Sequence, residues 1–232
     1  LAPDNTVWVS LTHEGLLSRT LKDNRPRISG SAAPKRLIRV NTRDVLYLVT
    51  EGGQAASLPV LSLPETDKST DGTPFHQVSS LSEKDKLAVM FTLPSKDTLA
   101  EGWYIISATR NGMIKKTAAE ELPGPAATPF TMLKVNTGDR LGWIRLSNGE
   151  QDLLLMTANG MAIRFREADV RPMGMVAAGV YGIKLAKGDE VVGAELLPQR
   201  GEVFMLTSSG RAKRVKQDDF PIQGRHGKGV IG

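Results

Sequence analysis

The hydrophobic residues of this chain occur in short runs, many of them rich in Val, Ile and Leu, that are bounded by Gly, Asn and Asp. Few segments space their apolar residues with the period near 3.6 that is typical of an amphipathic helix. Short apolar runs separated by turn-forming residues indicate β-strands. The pattern therefore predicts an all-β protein with almost no helix.

A hairpin pattern recurs five times along the chain. In each copy an apolar strand ends in Thr, two residues follow, a Gly closes the loop, and a second strand begins. The five pairs are Thr12/Gly15, Thr50/Gly53, Thr109/Gly112, Thr157/Gly160 and Thr207/Gly210. Glycine at this place allows a positive φ and suits a type I turn closed by a bulge.

A second element recurs between the hairpins. Three stretches combine a polar turn with an alternating strand: SEKDKLAVMF, NTGDRLGWIRL and AKGDEVVGAEL. They are preceded by GTPFHQVSSL, PFTMLKV and GVYGIKL, respectively. Asp85, Asp139 and Asp189 in these turns are interpreted as turn-formers, because no loop has the ligand density that Ca²⁺ needs. Each repeat thus supplies roughly four strands, which predicts a propeller-like array of small sheets.

A cation follows the threonine by seven residues in four of the five repeats, and Ser57 takes that place in the second. The four cations are Arg19, Lys116, Arg164 and Arg214. Their recurrence predicts a curved row of positive charge that contacts phosphate. The alternative is a solvated strand residue that discourages edge aggregation. Lys115, Arg211 and Lys213 are further candidates, although alternation along a strand lets only some of them point outward together.

Composition limits the classes of function. The 232 residues suffice for one large domain or two small ones. The absence of Cys excludes disulfides and thiolate metal sites and favours a reducing, cytoplasmic compartment. The three His residues lie far apart in sequence, so we expect neither a metal nor a cofactor in this chain.

The sequence also carries expectations about processing and partners. No apolar run reaches the roughly 18 residues of a membrane span, and the first residues, LAPDNTVWVS, do not form a signal peptide. Because no initiator Met is present, we expect a segment of a longer polypeptide. The net charge of +5 is uneven, with basic ends, residues 1–50 and 201–232, around an acidic stretch at 51–100, and such clustering favours a nucleic-acid partner.

Together these stretches resemble the C-terminal domain found in the A subunit of DNA gyrase and in its topoisomerase IV relative. The resemblance covers Val7 to Gly232, and YIISATRNGMIKKT, IRFREADVRPMG and KGDEVVG are its most specific stretches. It implies a β-pinwheel, a propeller-like disc of four-stranded blades in which neighbouring blades exchange a strand. About five blades are visible, six are possible in the parent, and residues 1–232 are expected to form a single domain.

The function implied by this resemblance is non-catalytic. A basic rim would bind, bend and wrap double-stranded DNA and present it to the cleavage core of a bacterial type II topoisomerase. The implied partners are duplex DNA, the ATPase-bearing B subunit, and the N-terminal cleavage domain that shares a polypeptide with this one. The catalytic tyrosine and the use of ATP and Mg²⁺ belong to other parts of the parent enzyme.

The stretch QGRHGKG resembles a degenerate copy of the family's gyrase A box, Gln-Arg-Arg-Gly-Gly-Lys-Gly. Its residues are Gln223, Gly224, Arg225, His226, Gly227, Lys228 and Gly229. Glycine lets backbone amides approach phosphate while Arg and Lys supply charge, so Arg225 and Lys228 are expected DNA contacts. His226 is interpreted as a tolerated turn residue. The family's box belongs to the first blade, where this chain reads RPRISGSAAPKRL at residues 25–37, which leaves both gyrase and topoisomerase IV open.

Some expectations stay open at the level of sequence. Arg171, in DVRPMG, is either a rim contact or a brace for Asp169. The charge distribution predicts a DNA path over the first, fifth, fourth and third repeats that avoids the second. A propeller scaffold that binds protein or glycan is the alternative from another class, and an enzyme acting alone would need a nucleophile motif or P-loop that the sequence lacks.

Overall fold

The structure is a computed structural model that describes residues 3–30 and 33–232. Contacts divide the chain into two compact units, residues 1–101 with 122–132 and residues 102–121 with 133–232, and each is described by itself. That the whole chain forms a single domain stays a prediction. None of the helices in the described ranges is long and apolar enough to span a membrane.

Short strands account for the regular structure, as the hydrophobic pattern predicted. Besides single 3₁₀ turns, the described residues contain one helix, α1 (Phe75–Val78). In chain order the strands are β1 (Thr6–Leu11), β2 (Leu16–Arg19), β3 (Arg36–Asn41), β4 (Val45–Thr50), β5 (Gln54–Pro59), β6 (Thr73–Pro74), β7 (Leu87–Leu93), β8 (Tyr104–Thr109), β9 (Met113–Ala118), β10 (Phe130–Thr131), β11 (Leu141–Ser147), β12 (Asp152–Thr157), β13 (Met161–Arg166), β14 (Val180–Tyr181), β15 (Val191–Leu197), β16 (Glu202–Leu206), β17 (Ala212–Lys216) and β18 (Val230–Ile231).

The strands form antiparallel sheets, one for each repeat. The first unit holds the four-stranded sheets β3-β1-β2-β6 and β10-β5-β4-β7. The second unit holds the four-stranded sheets β11-β8-β9-β14 and β15-β12-β13-β18 and the two-stranded sheet β16-β17. In each full sheet the short fourth strand comes from the following repeat, as when β14, which lies between β13 and β15 in sequence, pairs with β9. The expected strand exchange of a β-pinwheel is therefore confirmed.

The Thr-x-x-Gly hairpins form for the predicted reason. All five hairpin glycines have φ between 78° and 84°, and each donates its N–H to the carbonyl of the preceding threonine at 3.0–3.2 Å. The threonine Oγ1 also accepts the N–H of the residue that follows the glycine, at 3.1–3.2 Å. Threonine thus accepts two hydrogen bonds that close the turn, one at its carbonyl and one at its Oγ1. Glycine supplies the positive φ, which is unfavourable for a residue with a Cβ.

Apolar residues of alternating strand positions fill the core of each unit. In the first unit the core is built around Val7, Leu46 and Leu48, and in the second around Leu155 and Phe165, all fully buried. The turn aspartates hold neighbouring hairpins, because Asp139 and Asp189 accept the N–H groups of Asn111 and Asn159 at 2.9 and 3.0 Å. Their interpretation as turn-formers is confirmed.

Candidate nucleic-acid interface

The recurring cation of the second hairpin strand turns inward in three of the four repeats that carry it. Arg19 and Lys116 are buried, and the Arg164 side chain is only 12% exposed. A buried side chain cannot contact a phosphate on the surface. The expected outward row of charge at this position is therefore wrong for these three residues, and so is the alternative of a solvated edge residue.

These side chains instead bind the chain segment that follows the second hairpin strand of the next repeat. Arg19 donates from Nε to the Leu61 carbonyl at 3.4 Å and pairs with Glu65 at 2.5 Å. Arg164 pairs with Asp152 at 2.8 Å and donates from Nη1 to the Gln217 carbonyl at 2.9 Å. The repeated cation thus couples one repeat to the next.

Lys116 makes the same connection through a buried ion pair. Its ammonium lies 2.8 Å from the Glu167 carboxylate, and both side chains are almost completely buried. The Tyr104 ring lies under the ammonium, 4.1 Å from Nζ to its centroid, and Ser147 donates its hydroxyl to Glu167. A buried carboxylate is tolerated only when it is paired and hydrogen-bonded in this way.

Ser57, which replaces the cation in the second repeat, also couples its repeat to the next one, through a shorter side chain. Its hydroxyl donates to the Gly124 carbonyl at 2.7 Å, beside Tyr47, whose hydroxyl donates to the Pro123 carbonyl, also at 2.7 Å. Arg214 of the fifth repeat differs, because its side chain is 70% exposed and pairs with Glu202 across the hairpin at 3.3 Å. Of the recurring cations, Arg214 is the one that can reach a ligand.

Lys115, another predicted DNA contact, is fully buried, and its Nζ donates to the Met175 carbonyl. Strand alternation does not bring it to the surface, because β9 is an inner strand between β8 and β14. Burial lowers the pKa of its ammonium to about 8, an effect that the nearby Glu121 carboxylate opposes. Lys115 is therefore a structural residue that holds the 173–179 loop.

The lowered pKa of Lys115 predicts a pH-dependent stability. Between pH 8 and the ordinary lysine value of 10.5, the unfolded chain binds the extra proton, so stability rises with pH across this window. Relative to Lys115→Met, the wild-type chain should gain on the order of 3 kcal/mol from pH 8 to 10.5. Urea unfolding of both proteins at several pH values measures this difference. A difference that stays constant would contradict the burial argument.

The box-like loop, residues 223–229, is fixed at several backbone positions. The N–H of Gln223 donates to the Arg164 carbonyl at 2.7 Å, and that of His226 donates to the Gly182 carbonyl at 2.8 Å. At Gly229, with φ 80°, a Cβ would lie 2.4 Å from the Ala162 carbonyl oxygen, so only glycine fits there. The loop is therefore a turn whose backbone is held by hydrogen bonds and by a position that only glycine can occupy.

The cationic side chains of this loop face solvent. Lys228 is exposed and, among the described residues, has no hydrogen bond or ion pair. Arg225 is also exposed, and it donates to the carbonyls of Asp169 at 3.3 Å and Tyr181 at 3.0 Å. Arg225 therefore presents its charge from a guanidinium that is already held in place.

Arg171 and Arg225 line the same groove. The groove is lined by Ala168, Asp169, Arg171, Pro172, Met173, Val180, Gly224 and Arg225. Arg171 is exposed and has no ion pair within residues 3–30 and 33–232, so it is not seen to brace Asp169. Its placement fits the contact alternative. Arg211 and Lys213 are exposed on the last hairpin, near Arg214.

Two exposed lysines, one beside the 173–179 loop and one beside the box-like loop, were missed by the sequence analysis. Lys134 donates its N–H to the Ala177 carbonyl at 3.4 Å, and Lys184 donates its N–H to the Gly227 carbonyl at 2.9 Å. They occupy equivalent places in PFTMLKV and GVYGIKL, just before the polar turn. Aligning those two stretches would have found them. We call Lys134, Arg171, Lys184, Arg225, His226 and Lys228 the box surface.

The first unit carries the stretch that occupies the place of the family's own box. Arg25 and Arg27 there are exposed, as are Lys35 and Arg36. Ser31 and Ala32 within it lie outside the described residues. This stretch is basic but lacks the succession of glycines found at residues 223–229.

Comparison with known proteins defines the class of this fold. Residues 104–127, 151–198 and 201–232 match the family described as "DNA gyrase C-terminal domain, beta-propeller". The chain is thus similar to the C-terminal domains of DNA gyrase and topoisomerase IV, as its sequence motifs indicated.

The similar proteins are A subunits of DNA gyrase and C-terminal domains of topoisomerases. The chain is 30% identical to the A subunit of DNA gyrase from Klebsiella oxytoca and 31% identical to that from Salmonella typhimurium, in each case over 100% of this chain and 27% of the relative. It thus spans about a quarter of the length of these curated relatives. A crystal structure of the C-terminal domain of DNA topoisomerase IV has a TM-score of 0.84, with 26% identity over 100% of this chain and 73% of that one. The ParC C-terminal domain from E. coli shares the fold, with a TM-score of 0.77, 14% identity and coverage of 98% of this chain and 94% of that one.

Proposed function

We propose that this chain is a non-catalytic domain that binds, bends and wraps duplex DNA for a bacterial type II topoisomerase. The observation that carries the proposal is the box surface, where exposed cations stand on backbone that hydrogen bonds hold in place. Cations fixed in this way suit the phosphate backbone, whose contacts position a duplex without reading its sequence.

The proposed parent enzyme is DNA gyrase, and this chain would be part of its A subunit. The domain would deliver DNA to the N-terminal cleavage domain of the same polypeptide, and it would act with the ATPase-bearing B subunit in the cytoplasm. ATP and Mg²⁺ would be used in those other parts. Topoisomerase IV is the alternative, because the first repeat lacks a full box.

The binding mode predicts a steep dependence on salt. Each neutralised phosphate releases counterions, so log affinity should fall against log salt with a slope of about −0.9 per contact. The five permanent cations of the box surface alone would give a slope of about −4 to −5. Long duplexes that can follow the surface should also bind more tightly than short ones.

Fluorescence anisotropy with a 15-base-pair and a 100-base-pair duplex over a salt series measures both effects. Binding that does not change with salt would remove the proposed phosphate contacts and favour a protein-binding scaffold. If the two duplexes bind with equal affinity after correction for the number of binding sites on each, the domain does not wrap DNA.

A further inference from the structure

His226 is a backbone outlier within the box-like loop. Its φ is 68°, and it is the one non-glycine residue with a positive φ among residues 3–30 and 33–232. This region is disfavoured for a residue with a Cβ, and glycine would adopt it freely. A side chain kept at such a position on a surface loop indicates that the side chain itself has a use.

The imidazole of His226 is held in a defined place. It stacks on the Tyr181 ring with centroids 5.0 Å apart and planes 18° apart, while the His226 N–H is bonded to the Gly182 carbonyl. Both side chains are exposed, Tyr181 by 52%. Backbone and ring therefore orient an accessible imidazole, which reduces the entropy that a ligand contact would cost.

Charged groups around His226 are mostly cationic. Arg225 and Lys228 flank it on the loop, and Lys184 follows β14, the strand that carries Tyr181. Arg171 and Asp169 line the groove that Arg225 also lines. A phosphate held by these cations would also attract a protonated imidazole.

We propose that His226 is a pH-dependent DNA contact: in its protonated form it binds a backbone phosphate beside Arg225 and Lys228. Histidine suits this role because its ordinary titration lies between pH 5 and 8. DNA binding at this loop is then coupled to the uptake of a proton on the Tyr181-stacked imidazole. The inference rests on the proposed function and adds a residue to it.

The test compares duplex affinity at pH 5.8 and 7.2 at constant ionic strength. Both values lie below the range in which Lys115, with a pKa of about 8, loses its charge. The wild-type chain should bind about fivefold more tightly at pH 5.8, and its salt slope should steepen by about 0.9, the value of one added phosphate contact. His226→Gln should bind equally at both pH values.

Three further variants separate the contact from general effects. His13→Gln with His76→Gln, both in the first unit, should keep the full pH dependence. His226→Gly should lose it while raising the thermal unfolding midpoint, because the φ strain is relieved. Tyr181→Leu should bind with a smaller pH effect, because the imidazole is no longer held by stacking.

The outcomes are distinct. A wild-type affinity that does not change with pH, or a pH dependence that persists in His226→Gln, overturns this inference. If the chain binds DNA through Arg225 and Lys228 without any pH effect, the inference alone fails. If no duplex binds at either pH, the proposed function fails as well.

Discussion

Replacing Glu167 by alanine should lower the free energy of unfolding by about 3–5 kcal/mol, because it leaves a buried ammonium without its partner. Lys116 is 6% exposed and Glu167 is fully buried, so water cannot replace the lost contact. Ser147 would lose its acceptor as well. Urea unfolding of the variant measures the loss.

A matched control separates burial from charge. Arg145 and Glu195 form an exposed ion pair at 2.5 Å, with Glu195 56% exposed. Glu195→Ala should therefore cost no more than about 1 kcal/mol. The double replacement Lys116→Met with Glu167→Leu should recover most of the stability lost in Glu167→Ala, since an apolar pair can replace a buried ion pair. Equal losses in Glu167→Ala and Glu195→Ala would contradict the argument.

Replacing Arg225 and Lys228 together by alanine should weaken duplex binding by about 10- to 30-fold, at roughly 1 kcal/mol for each lost phosphate contact. The salt slope should fall by about 1.8, since two phosphates are no longer neutralised. Gel-shift and DNA-bending assays measure affinity and bend angle. Lys96→Ala, an exposed lysine in the acidic segment of the first unit, should leave both unchanged.

The fourth repeat offers the converse experiment. The stretch MGMVAAG, residues 173–179, corresponds to QGRHGKG and carries Met175 and Ala178 where the later loop has Arg225 and Lys228. Met175→Arg with Ala178→Lys should strengthen binding by about tenfold and steepen the salt slope. If the double alanine variant bends DNA as well as the wild type and this transfer gains nothing, the box surface is not the DNA path.

Arg164→Ala distinguishes a contact from a positioning residue. The Arg164 backbone and side chain hold residues 217–223, the segment that leads into the box-like loop. Its removal should lower the unfolding midpoint and weaken DNA binding while the salt slope stays near the wild-type value. A slope reduced by about 0.9 would mean that Arg164 is itself a phosphate contact.

The sequence by itself determined the repeat and much of the local structure. Thr-x-x-Gly specifies each hairpin because both residues act on their own turn, through a local hydrogen bond and a local φ. QGRHGKG was likewise recognisable, since glycines and cations in one short loop predict an exposed anion-binding turn. These features depend on neighbours in the chain and need no distant partner.

Only the tertiary structure decided which cations face solvent. Arg19, Lys116 and Arg164 occupy the same strand position as Ser57, and each binds a segment from the next repeat. In that segment, the carbonyl groups that accept hydrogen bonds from Arg19, Ser57 and Arg164 lie 42 to 67 residues away in sequence. The strand pattern cannot show that a segment from the following repeat pairs with β9 and β13 and that the adjoining chain binds these side chains. Lys134 and Lys184 gain their place on the box surface in the same way, because loops from later repeats dock beside them.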